Sequence, residues 1–340
     1  MPPVTSGKVL VTGANGYIAT WVIHKLLEQD YSVRGAVRSE SKATLLRKAF
    51  AAYGDRFETT VVEDITKAGA FDEAVKGIDA VEHTASPVYI ATDDPDEVIV
   101  PAVHGTTRVL ESALAYGSNV KRVVYTSACA TIVHVQDAPY TFSEADWNDA
   151  VVAEVKEKGR AASQLAKYRA SKTLAEKAAW EFVEKNKSKI GWDLVVLNPP
   201  YVFGPPIHDV AQSPEDLNAS MRQWFQSVLK GPELLIDGGM CWTDVRDLAE
   251  AHVLAIQKQE AGGERIIVSE GPFKWQDFAI AASKQGIKVF VNDDSYNPTN
   301  ATHHVIYDTS KIARIFGLKF RSIEESTADI IDDLRARGWI

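Results

Sequence analysis

Apolar residues in the first two-thirds of the chain fall into short unbroken runs separated by helically spaced sets. Val9 to Thr12 is a run of strand length, and Ile18, Val22, Ile23, Leu26 and Leu27 then recur on one helix face. Tyr31 to Val37 predicts a second strand and Lys42 to Phe50 a second helix. Phe57 to Val62, Asp79 to His83 and Arg122 to Thr126 predict three further strands. Between the last two, Val98 to Tyr116 reads as a long helix entered through Pro95, and Ala161 to Asn186 as another. Trp192 to Leu197 returns to a β-branched run, which Asn198-Pro199-Pro200 stops. Such alternation requires right-handed βαβ crossovers, which place the strands in a parallel, doubly wound sheet covered on both faces. The fold class is α/β.

Beyond Pro199 the texture changes. Prolines at 199, 200, 205, 206 and 214 mark loops, with helices predicted over Leu217 to Lys230, Trp275 to Gln285 and Thr309 to Phe316. Arg265 to Ser269 reads as one more strand. The expected division is a dinucleotide-binding part over 1–197 and 238–270 and a smaller C-terminal substrate-binding lobe over 198–237 and 271–340. No internal repeat or low-complexity linker interrupts it.

Composition narrows the function classes. The 340 residues are 45% hydrophobic and 24% charged, ordinary for a globular protein. The net charge is −9 and no lysine- or arginine-rich block stands out, which argues against nucleic-acid binding. The stretch Met1 to Lys8 lacks the apolar core of a secretory signal, and no run approaches the roughly 20 apolar residues a membrane span needs. Cys129 and Cys241 are the two cysteines and have no metal-ligand spacing. The expectation is a cytoplasmic monomer or homodimer acting on a small molecule, with neither nucleic acid nor membrane as partner.

Two motifs carry chemistry. Between the first strand and first helix lies Thr12-Gly13-Ala14-Asn15-Gly16-Tyr17-Ile18-Ala19. Glycines there permit a tight turn and let backbone N–H groups approach a pyrophosphate at a helix N-terminus, the Rossmann-type arrangement. Thr12, Gly13, Asn15, Gly16, Tyr17 and Ile18 are the candidate contacts. The second strand ends in Arg38 with no acid before Glu40, and Lys42 follows. Two cations where an NAD-selective site carries a carboxylate favour a 2′-phosphate, hence NADP(H). Asp64-Ile65 and Thr84-Ala85-Ser86, after the third and fourth strands, are expected to complete the groove, with Thr126 and Pro199 at later strand ends.

The second motif is Tyr168-Arg169-Ala170-Ser171-Lys172 on a predicted helix. Residues four apart project from one helix face. An ammonium beside a phenol is expected to lower its pKa from about 10 towards general-acid range. Tyr168 and Lys172 are therefore the candidate proton-transfer pair.

Together with His83-Thr84-Ala85-Ser86-Pro87, Asn198-Pro199-Pro200-Tyr201-Val202-Phe203-Gly204-Pro205, Asp244-Val245-Arg246-Asp247-Leu248-Ala249 and Phe320-Arg321-Ser322-Ile323-Glu324-Glu325-Ser326, these motifs run almost the length of the chain. The sequence resembles the extended short-chain dehydrogenase/reductases, in particular the fungal carbonyl and methylglyoxal reductases related to dihydroflavonol reductases. The resemblance implies NADPH-dependent reduction of aldehydes or ketones. In it the tyrosine donates the proton, the lysine holds the nicotinamide ribose, and a serine after the fifth strand polarises the carbonyl. That family usually reads Thr-Ser-Ser where this chain reads Thr126-Ser127-Ala128, so Ala128 stands at the catalytic serine position. Three readings stand: a substitute donor, with Ser127 the nearest candidate and Thr131 a second; a slow enzyme; or a chain altered at this position to trap a complex.

Ser86, Val88, Tyr201, Phe203, Met221, Trp224 and Phe225 are candidates for an apolar substrate pocket. Asp244, Arg246 and Asp247 are expected to form an ion-pair network and helix cap, His83 and His252 to be packed side chains, and no metal site is expected. Two other functions fit the same fold: a nucleotide-sugar epimerase or dehydratase, and a catalytically silent dinucleotide sensor.

Overall fold

The β-branched runs become buried strands. A computed structural model of the chain describes residues 3–86, 92–207, 213–230, 239–289 and 296–340. Its strands are β1 (Lys8–Thr12), β2 (Ser32–Val37), β3 (Phe57–Val61), β4 (Ala80–His83), β5 (Arg122–Thr126), β6 (Tyr140–Phe142), β7 (Asp193–Asn198), β8 (Tyr201–Phe203), β9 (Gly239–Asp244), β10 (Arg265–Ile267), β11 (Gly271–Lys274) and β12 (Val305–Tyr307). The helices are α1 (Tyr17–Glu28), α2 (Glu40–Ala49), α3 (Asp96–Tyr116), α4 (Asp149–Lys158), α5 (Gln164–Asn186), α6 (Ala219–Phe225), α7 (Val245–Gln257), α8 (Trp275–Lys284), α9 (Ser310–Phe316) and α10 (Ile323–Ala336).

Seven strands form one parallel sheet in the order β3-β2-β1-β4-β5-β7-β10. Alternate residues of each strand feed opposite faces, as the two-residue strand period demands. Val9 and Val11 join the cluster containing α1 and α7, whereas Leu10 joins the one containing α3 and the α5 residue Ala179. Burial on both faces explains why these strands read as continuous apolar runs. The strand order reverses between β1 and β4, which opens a crevice beyond their carboxyl ends.

The remaining strands lie outside this sheet. β8 and β9 pair in parallel, and β11 adds antiparallel to β9. β6 and β12 form a two-stranded parallel pair. Phe203 sits at the centre of an aromatic cluster, with ring centroids 5.2 Å from Phe278, 5.6 Å from Phe273 and 6.3 Å from Trp242. The same continuous apolar cluster reaches from α1 to Ile330 and Leu334 of α10. Two bonds tie the first helix to this part of the chain: the Tyr17 hydroxyl donates to the Gly204 carbonyl at 2.7 Å, and the Trp21 indole to that of Pro205 at 2.9 Å.

α5 begins at Gln164 rather than Ala161, because residues 159–161 close a 3-10 turn and the Ser163 side chain caps the helix by accepting from the Ala166 N–H. α6 is shorter than the predicted helix and runs on as a π turn over Gln226–Lys230. No helix among the described residues is long and apolar enough to cross a membrane.

Candidate active site

At the first turn Gly13 adopts a left-handed φ of 62°, and a β-carbon there would lie 2.9 Å from the Ala85 Cα. The chain leaving β4 therefore passes directly against the glycine turn, with no room for a side chain. The Gly16 N–H donates to the Gly13 carbonyl at 2.8 Å, and Gly16 precedes α1 without any side-chain cap. Uncapped first-turn N–H groups are what an anionic phosphate requires.

These glycines and Asn15 line a cleft of about 490 Å³. The carboxyl end of β2 contributes Arg38, the segment after β3 contributes Asp64 and Ile65, and that after β4 contributes Thr84, Ala85 and Ser86. The opposite wall is α5, which presents Tyr168, Ser171 and Lys172 to the same cleft. The structure thus brings together the two sequence motifs.

Arg38 is exposed and makes no ion pair with any described residue. Asp64 accepts from both the N–H and the hydroxyl of Thr66, at 2.9 and 2.7 Å, and these bonds hold its carboxyl below the usual range. The Lys172 ammonium reaches Ser86 Oγ at 2.9 Å. Burial pushes that ammonium down to about 8. Burial also raises the Tyr168 phenol, and the neighbouring Tyr201 phenol adds to the rise. Burial thus moves the Tyr168 phenol opposite to the expected acidification. Four-residue spacing brings the two side chains to one face, but the lysine stem turns its charge to Ser86.

Other predicted contacts are committed elsewhere. Thr12 is fully buried: its hydroxyl meets His83 Nδ1 at 2.9 Å and accepts the Ala85 N–H at 3.1 Å, while its carbonyl accepts from Thr84 Oγ1 at 2.5 Å. It staples β1 to the segment after β4 and does not face the cleft. Burial pushes the His83 imidazole down to about 3, so the ring in this staple is neutral. Tyr17 is buried in its bond to Gly204. Ile18 packs on the main cluster, Thr126 pairs with His252 Nε2 at 3.1 Å, and the Pro199 carbonyl accepts the Cys129 N–H at 2.9 Å. None of these, nor Lys42, lines the cleft.

Ser127, the candidate carbonyl-polarising donor, does not line the cleft. It is buried, and its hydroxyl donates to Glu176 Oε2 at 2.5 Å. Thr131 donates to the same oxygen at 2.8 Å. Phe203, Met221 and Trp224 are fully buried and Phe225 nearly so, which makes them core rather than pocket wall. Tyr201 is half-buried and close enough to act on Tyr168. Val88 lies outside the described residues.

As expected, Asp244 caps α7 and pairs with Arg246 at 2.8 Å, while Asp247 pairs with Arg321. His252 is buried against Glu82 at 2.6 Å, and both cysteines are free and buried. The α3 wall of the cleft was not anticipated. Val98, Pro101 and Ala102 face it together. Their i, i+3, i+4 spacing on a helix already predicted was the available clue.

The chain as a whole has counterparts among known proteins. A match to the NAD dependent epimerase/dehydratase family covers residues 9–269. The NADPH-dependent methylglyoxal reductase of Saccharomyces cerevisiae is 37% identical, over 94% of this chain and 96% of that protein. Aldehyde reductase 2 of Sporidiobolus salmonicolor is 35% identical, over 95% and 94% respectively. The crystal structure of yeast methylglyoxal/isovaleraldehyde reductase complexed with NADPH superposes with a TM-score of 0.87 at 35% identity, covering 98% of this chain and all of that one. By its glycine turn, its sheet order and this near full-length likeness, the chain belongs to the NAD dependent epimerase/dehydratase family, within the extended short-chain dehydrogenase/reductases.

Proposed function

We propose that this protein reduces an aldehyde or ketone to the alcohol with NADPH, Tyr168 acting as the proton donor. The observation that carries the reading is the single cleft lined by Gly13, Gly16, Tyr168 and Lys172. The NADPH dependence of the relatives supports it, as does Arg38 after β2, which forms no ion pair with a described residue. The uncapped α1 terminus and the close Gly13–Ala85 approach fit a pyrophosphate, Arg38 fits a 2′-phosphate, and Lys172 with Ser86 fits the ribose hydroxyls.

When bound, NADPH supplies the hydride that adds to the carbonyl carbon. The chain's own part is to hold the carbonyl and deliver one proton to its oxygen. A phenol of ordinary pKa about 10 is protonated at neutral pH, and burial acts in the same direction, so the acid is ready before each turnover. The oxygen that gains charge is far more basic than a phenolate, so transfer from Tyr168 runs downhill. Among the described residues lining the cleft, Arg38 and Lys172 are the cations, and both are assigned to the dinucleotide. A sugar-nucleotide diphosphate would find no further partner there.

The reading extends to a cytoplasmic enzyme working as a monomer or homodimer, which its free, buried cysteines suit. The test is NADPH oxidation with a panel of aldehydes, keto esters and aryl ketones. Tyr168→Phe should lower kcat by about 10²–10⁴ while leaving NADPH affinity near that of the parent. A rate unchanged by that substitution removes Tyr168 from the reaction, and equal use of NADH removes the Arg38 assignment.

A further inference from the structure

We infer that Glu176 is a positioning residue of this active site: one buried carboxylate that fixes the distance between the Tyr168–Lys172 face of α5 and the strand ends where the carbonyl must sit. The inference rests on the reading of Tyr168 as proton donor. Tyr168, Lys172 and Glu176 follow at four-residue intervals, so they share one face of α5. Glu176 is fully buried, where a carboxylate is rare unless paired.

Its partners come from four separate segments. Oε2 accepts from Ser127 Oγ at 2.5 Å, Thr131 Oγ1 at 2.8 Å and Asn198 Nδ2 at 2.8 Å, and Oε1 accepts from Arg265 Nε at 2.5 Å. Ser127 follows β5, Thr131 closes the short turn after it, Asn198 ends β7 and Arg265 opens β10. Ala128 lies inside this arc, between Ser127 and Thr131. Arg265 is itself held: its Nη1 donates to the Glu144 and Asp146 carbonyls at 2.6 and 3.0 Å, and its guanidinium lies 3.6 Å from the Trp147 ring centre.

A buried ion pair alone is weak evidence for anything beyond local satisfaction, because desolvation can exceed the attraction. What distinguishes Glu176 is convergence. Three neutral donors from the segments flanking Ala128 and Asn198-Pro199 meet one oxygen on the helix that carries the acid. Moving that carboxylate moves α5 relative to the cleft floor. Ser127 then works through Glu176 rather than on the substrate.

The test compares Glu176→Asp, Ser127→Ala and Tyr168→Phe in steady-state kinetics normalised to NADPH-binding sites. Aspartate keeps the charge but withdraws it by about 1.5 Å, and misplacement of about 1 Å can cost about 10²-fold. Glu176→Asp should lower kcat about 10- to 100-fold with the NADPH Kd within about twofold, and shift the kcat pH profile. Ser127→Ala, which leaves the ion pair intact, should lower kcat by only about three- to tenfold and carries the test if the aspartate variant does not fold. Full kcat per binding site and an unmoved pH profile in both variants would overturn the inference, leaving Glu176 merely structural. A loss of about 10²–10³ in Ser127→Ala would also overturn it, by making Ser127 the direct carbonyl donor. An unaffected Tyr168→Phe sinks the underlying reading instead.

Discussion

Ala128 is half-exposed between two hydroxyls that are both turned to Glu176, those of Ser127 and Thr131. The side chain at position 128 cannot donate to a carbonyl, so in the proposed reaction polarisation of the substrate falls to the Tyr168 phenol. Removing one such donor from an enzyme costs about 10²–10³ in turnover. Installing one should recover part of that. Ala128→Ser is expected to raise kcat about tenfold or more on a carbonyl the parent already reduces, measured by NADPH oxidation at saturating cofactor. A kcat at or below the parent value would show that the substrate oxygen does not pass within reach of that side chain.

Between β1 and β4 the cofactor crevice depends on one threonine. Thr12 joins the His83 ring and the Ala85 N–H, and both are buried or part-buried partners that water cannot readily replace. Thr12→Val should therefore destabilise the protein by about 1–3 kcal/mol in denaturant unfolding and raise the KM for NADPH, while Thr12→Ser stays near the parent. A valine variant as stable as the parent would show the staple to be dispensable. The long elements of the large sheet were legible because burial on both faces writes unbroken apolar runs. β6, β8 and β12 are three residues each, too short to display a period, and β8 lies just past Pro199-Pro200, whereas β10, equally short, begins the apolar run read from Arg265. α7 shows in the sequence through its cap and its spacing: Val245, Leu248, Ala249, His252, Val253 and Ile256 form one buried face behind Asp244. α10 likewise announced itself through the capping box of Ser322 and Glu325. Among the site residues, the glycine turn, Arg38, Tyr168 and Lys172 were visible as local motifs. Glu176 closes the same helical motif, but its role was not legible, since its four partners lie 22 to 89 residues away and only the sheet order assembles them.

Taken whole, the molecule does not divide its apolar interior at the boundary between its two functions. The cluster that holds α1 also holds Phe203, Trp242, Phe278 and α10. Phe203→Ala should cost about 3–5 kcal/mol, and the variant should still unfold in one transition. Far-UV circular dichroism and the loss of NADPH binding would then coincide along a urea titration. Two separated midpoints would show that the lobes melt independently.

The hydrogen bonds from Tyr17 and Trp21 to the carbonyls of residues 204 and 205 carry a practical corollary for protein engineers. A chimera that swaps the C-terminal portion for that of another reductase inherits two donors aimed at a backbone it did not evolve with. Retaining the stretch 201–205 from the recipient keeps that seam matched, which makes the graft point, rather than the imported pocket, the first choice in any such redesign.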